Sequence, residues 1–146
     1  MTKAAWALRY TVAMVALNLL WELLQLPLYT VWTIGSAREI VFDVLHCTVG
    51  DLLIAGLSLW AALALVQPSG WPHQRNTATC VLTLVLGVGY TVHSEWYNTA
   101  VSHQWAYSNL MPQIAGIGLS PIAQWLVVPC MAFWWAHRPA QHRPAR

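Results

Sequence analysis

The residues best able to do chemistry sit in one apolar stretch, Phe42 to Leu53, FDVLHCTVGDLL, which holds Asp43, His46, Cys47 and Asp51. Each ionisable group placed in hydrocarbon costs at least ~2.5–3.5 kcal/mol, so such groups are functional candidates by default. Two further acids, Glu22 and Glu95, lie in other apolar runs. Carboxylates with raised proton affinity could act as general acids or bases. Mixed His and carboxylate donors suit a divalent transition metal, and Cys47 would tilt the choice toward zinc or copper. No HExxH or ExxH spacing sharpens the metal reading.

The elements that must position these groups follow from composition. A chain of 146 residues that is 58% hydrophobic and 8% charged belongs in lipid. The sequence predicts an all-α membrane protein of one domain, residues 1–136: four transmembrane helices, about 5–26, 39–66, 77–98 and 113–136, in an antiparallel bundle. Pro121 and Pro129 should kink the fourth helix. The Arg/His/Pro tail 137–146 is expected to be disordered and cytoplasmic. Cys47, Cys80 and Cys130 lie in separate runs, with no CxxC pattern to indicate a disulfide framework, c-type haem or zinc ribbon. A formal charge of +2 is too small and too scattered for nucleic acid.

Lys3, Arg9, Arg75, Arg138, Arg143 and Arg146 fall on one side of four crossings and only Arg38 on the other. The positive-inside rule then places both termini in the cytoplasm, and in a bacterial inner membrane the loops 28–38 and 99–112 face the periplasm. The polar residues gather in that outer half. Helical spacing predicts a stripe of Asn18, Glu22 and Gln25 on the first helix, and one of Asp43, His46, Cys47 and Gly50 on the second with Asp51 at its margin. Thr91, Glu95 and Asn98 share a face of the third helix, and Gln113, Ser120 and Gln124 one of the fourth. Four stripes in one half imply a shared pocket, and no Lys or Arg lies within that half of the spans to balance its acids. Asn18 and Gln25 also read as ordinary interhelical hydrogen-bonders, and Cys47 as a small packing residue.

The third loop, SHQWAYSNLMPQIAGIGLSP, is uncharged and aromatic, and reads as a lid for an amphiphile arriving from the outer leaflet. Glu95, then QWAY, then GIGLSPIAQW loosely resembles the pattern of small membrane carotenoid cyclases and hydratases, in which a W-x-Y element precedes a Pro-containing helix carrying acids. Where that resemblance implies an acid after Pro121 this chain has Gln124, so no catalytic residue is carried over.

Three functions stay open at this point. The first is an intramembrane acid–base enzyme for a hydrophobic lipid or isoprenoid-like substrate, with Asp51, Glu95 and His46 catalytic and Trp105, Tyr107, Asn98 and Gln124 binding substrate. The second is a periplasm-facing metal protein using His46, Asp51, Glu22 and Glu95. The third is a non-catalytic accessory or transport subunit, a homo-oligomer or part of a larger membrane complex.

Overall fold

The computed structural model describes residues 2–74 and 76–138. Thr2 accepts a hydrogen bond from the Ala5 amide and starts helix α1, Lys3–Gln25. Pro27, which has no amide hydrogen, ends it in a single 3-10 turn, Leu26–Leu28. A one-turn helix α2, Val31–Ile34, leads to a capping box in which Ser36 and Glu39 satisfy each other's amides and launch α3, Ala37–Val66. Its 30 residues span about 45 Å at 1.5 Å each, more than the ~30 Å hydrocarbon core. Asn76 caps α4, Thr77–Trp96, which widens into a π-helical turn, Tyr97–Val101. The last helix, α5, is Leu119–Ala136.

The fourth span therefore begins six residues later than the apolar pattern suggests. Residues 113–118 instead form a small hairpin of β1, Gln113–Ile114, and β2, Ile117–Gly118. Its two-residue turn holds Ala115 and Gly116 at φ of 51° and 79°, the left-handed pair a tight hairpin needs. Starting α5 at Leu119 leaves Pro121 in the first turn, where its missing donor has no helical acceptor to lose, while Pro129 lies inside the helix. Of the tail 137–146, expected to be disordered, residues 139–146 lie outside the described residues. His137 and Arg138 are docked: Trp6 donates to His137 Nδ1 at 3.4 Å and Arg9 to the Arg138 carbonyl at 2.7 Å.

Four helices are long and apolar enough to cross a membrane. They form a ring in which α1 and α4 each pack on α3 and α5. Trp6 and Tyr10 at the start of α1 meet Phe133 near the end of α5, and Gln25 at the end of α1 meets Ser120 and Gln124 near the start of α5. The surface is inside out relative to a water-soluble protein. Leu24, Leu57, Trp60 and Leu65 are exposed, whereas Asn18, Glu22, Thr83, Glu95 and Gln124 are buried. Apolar surface on this scale far exceeds what a soluble monomer tolerates and suits lipid contact.

Candidate functional site

Two polar clusters fill the end of the bundle where α1 and α4 finish and α3 and α5 begin. In the inner cluster, Gln124 of α5 is 2% exposed and reaches to α1 and across to α3. Its Nε2 donates toward Asn18 Oδ1 at 3.0 Å, Glu22 Oε1 at 3.0 Å and Asp51 Oδ2 at 2.8 Å. Next to it Trp125 Nε1 donates to Asp51 Oδ1 at 3.2 Å. Trp125 can stand there because α4 has Gly87 opposite: a Cβ on Gly87 would lie 2.2 Å from the indole ring. Gln25 donates to Glu22 at 2.9 Å and accepts from Ser120 at 2.8 Å, and Ser120 accepts from Trp21 at 3.2 Å.

Glu22 and Asp51 are also within side-chain hydrogen-bond reach of each other. An amide NH2 has two hydrogens, and here three acceptors compete for them; two ionised carboxylates can only accept. The donor count closes when the Glu22–Asp51 pair holds one proton. Among the described residues no Lys or Arg lies beside the pair along the chain: residues 39–74 and 76–137 contain none, Arg38 is exposed 13 residues before Asp51, and Arg9 lies 13 residues before Glu22, each about 20 Å along its helix.

The outer cluster surrounds Glu95, 6% exposed at the end of α4. Tyr107 donates to Glu95 Oε2 at 2.5 Å and accepts from the Gly118 amide at 3.0 Å. Gly118 has no side chain to interfere, since a Cβ would come within 2.9 Å of the Tyr107 ring. Tyr29 also comes within reach of the Glu95 carboxyl, whereas the buried indole N–H of Trp105 makes no hydrogen bond. Burial, then Glu95, raises the Tyr29 phenol well above its ordinary range. Tyr107 is raised too, by burial and by its bond to Glu95. Both phenols therefore stay protonated as donors. Beside Tyr107 a cleft of about 400 Å³ opens outward, lined by Thr99, His103, Trp105, Tyr107 and Gln113 among others.

The loop carrying Tyr107 is tied across the end of α1. Thr30 donates its amide to the Ala106 carbonyl, Ser108 its amide to Leu28, and Ser108 Oγ to Pro27, each at 2.8–2.9 Å. Beyond the inner cluster lies an apolar core that includes Met14, Ala55, Leu59, Trp125, Val128 and Phe133, with Thr79 and Thr83 buried in the first turns of α4.

The sequence-predicted residues divide clearly. Glu22, Asp51 and Gln124 share one network, Glu95 and Tyr107 share the second, and Trp105 lines the cleft. His46 is not brought to them. It is exposed and stacked on Phe42, ring centroids 5.6 Å apart, because the inward face of α3 runs through Val44, Thr48, Asp51 and Ala55. Asp43 stays half-exposed near Glu39 and His46. Asn98 pins the π-helical turn, donating to Ser94 and accepting from Ser102. Gln113 belongs to the hairpin rather than to a helical stripe.

Among the described residues no three His, Cys, Asp or Glu side chains are grouped as a metal ion would need. The set His46, Asp51, Glu22 and Glu95 does not converge, because His46 projects outward. Tyr29 was not foreseen; its one signal in sequence is an aromatic placed directly after the Pro27 helix stop. No family model, curated protein or solved structure matches the chain, so neither the loose carotenoid-cyclase resemblance nor any other kinship supplies a function.

Proposed function

We propose that this chain is a membrane-embedded acid–base enzyme whose site opens at the loop end and takes an amphiphilic lipid or isoprenoid-like substrate. The observation that carries the reading is the gathering of Glu22, Asp51 and Glu95, from three helices, in one interior with no cation among them. A cleft adjoins that interior on one side and an apolar layer lies on the other. Glu95, hydrogen-bonded to Tyr107 beside the cleft, exchanges the proton with substrate. The Glu22–Asp51 pair behind it stores or supplies one, as neighbouring acids with divided roles do. Trp105 and Tyr107 offer flat aromatic surface to the apolar part of the substrate. With the basic residues cytoplasmic, the cleft faces the opposite side, the periplasm of a bacterial cell.

Lipid extracts from cells with and without the gene test this reading. A lipid or isoprenoid species should change, and Glu95→Gln or Asp51→Asn should cut its formation by roughly a hundredfold or more, the usual contribution of a positioned proton-transfer group. Identical profiles in all strains would overturn it. A non-catalytic accessory or transport subunit is the second reading, favoured by the hydrogen-bond partners that Asn18, Gln25 and Gln124 find within the bundle. It requires Asp51→Asn to leave lipid profiles untouched and the protein to co-purify with a larger complex.

A further inference from the structure

Tyr29 follows the 3-10 turn that ends α1, and its backbone bridges to Tyr107 while their rings lie 5.6 Å apart. Its phenol is within reach of Glu95 on α4, and Tyr107 on the loop, Glu22 on α1 and Cys47 on α3 are the other titratable groups whose charge reaches it. On the inner side, Thr91 sits one turn before Glu95 on the buried face of α4. It is 6% exposed and its hydroxyl has no hydrogen-bond partner in the protein. A buried hydroxyl without a protein partner is a natural seat for an internal water. Hydroxyl groups thus lie on the side of the cleft and on the inner side of Glu95.

We propose that Tyr29 relays protons between Glu95 and the Glu22–Asp51 pair, making the two clusters one proton-exchanging unit filled from the cleft. The inference deepens the acid–base reading and rests on it. In each transfer a proton leaves the Glu95 carboxyl for the Tyr29 oxygen as the Tyr29 hydroxyl proton passes through one water to the inner carboxylate. One O–H bond breaks as another forms at every station, and the phenol ends as it began. Tyr29 is a positioning and relay residue here; it does not touch the reacting atoms of the substrate.

The test uses the full chain reconstituted in lipid and needs no substrate. The carboxyl stretch of the inner pair, identified as the infrared band lost in Asp51→Asn, is followed after transfer to D2O. Tyr29→Phe keeps the ring on Tyr107 and the backbone bridge but removes the hydroxyl. Hydrogen exchange at that band should slow by about a hundredfold, the lower range for a placed proton-transfer group. Backbone amide exchange in α1 and α3 and resistance to unfolding should stay as in the wild type, which a merely structural role would not allow. Exchange within about threefold of the wild-type rate, under half a logarithmic step against that scale, would overturn the relay. Should Tyr29→Phe fail to fold, Glu95→Gln removes the entry point instead: the same slowing supports the route and an unchanged rate overturns it. Unaltered lipid profiles together with slowed exchange would sink the enzyme reading and leave the relay standing.

Discussion

At the residue scale the central feature is a shortage of hydrogens rather than of acceptors. Gln124 faces three acceptors with two hydrogens, and two of those acceptors are carboxyl groups. Replacing Gln124 by Met removes the two interhelical hydrogen bonds its hydrogens can make and the one it accepts from Gln25. At about 0.6 kcal/mol each in membrane bundles, the loss is roughly 2 kcal/mol, measurable by SDS titration of bicelle-embedded protein. Asp51→Asn should behave differently: the amide oxygen still accepts from Trp125 and the NH2 can donate to Glu22, but the bond from Gln124 is lost, so stability should fall by less than in Gln124→Met while activity falls. The phenols give a pH prediction. Tyr29 and Tyr107 are raised above the ordinary value near 10, so their contribution to stability is complete below about pH 10 and is lost as pH climbs from there toward their folded values. The phenolate absorbance difference between wild type and a Tyr29→Phe, Tyr107→Phe double variant should accordingly be silent below about pH 10. Glu22, Asp51 and Glu95 were legible in sequence because an acid in a spanning segment is conspicuous. Tyr29 was not, because an aromatic beside a helix end reads first as an interface anchor.

At the scale of elements, the helices could be read because their lengths and stops are written in apolar runs, Pro27 and the Ser36–Glu39 box. The phase of α3 could not. A polar residue was expected to face inward, but His46 lies in the opening turns of a helix longer than the bilayer, where it can meet headgroups and stack on Phe42. The start of α5 is hidden in the sequence because six residues of a hairpin carry the same apolar character as a helix, and the turn at Ala115–Gly116 has no Asn or Asp to announce it. Elements also set what small residues must do. Gly87→Ala would drive a methyl group into the Trp125 ring, so Trp125 must move and release Asp51. Overpacking of this kind costs about 1–3 kcal/mol, and the same SDS titration should record it together with a shift in tryptophan fluorescence.

At the scale of the whole molecule, polar residues inside and apolar residues outside are two statements of one solvent, and composition already contained both. Pairing across the ring was beyond sequence: nothing in periodicity says that α5 reaches over to α3, or that a loop residue would hold the acid of α4. Orientation can be checked directly. In a variant lacking native cysteines, a cysteine at Leu110, 68% exposed beside the cleft, should react with membrane-impermeant maleimide added to intact cells, and one at Ser69 only after lysis. The reverse pattern would invert the assignment of sides. The site would then draw substrate from the cytoplasmic leaflet.

The measurement that bears most directly on the account is infrared difference spectroscopy of the reconstituted protein, comparing wild type with Glu22→Gln and Asp51→Asn. A single proton shared by the pair predicts a deuterium-sensitive carbonyl stretch of a protonated carboxyl group that disappears or shifts in each variant. A wild-type spectrum with carboxylate bands alone, unchanged by either substitution, would contradict it.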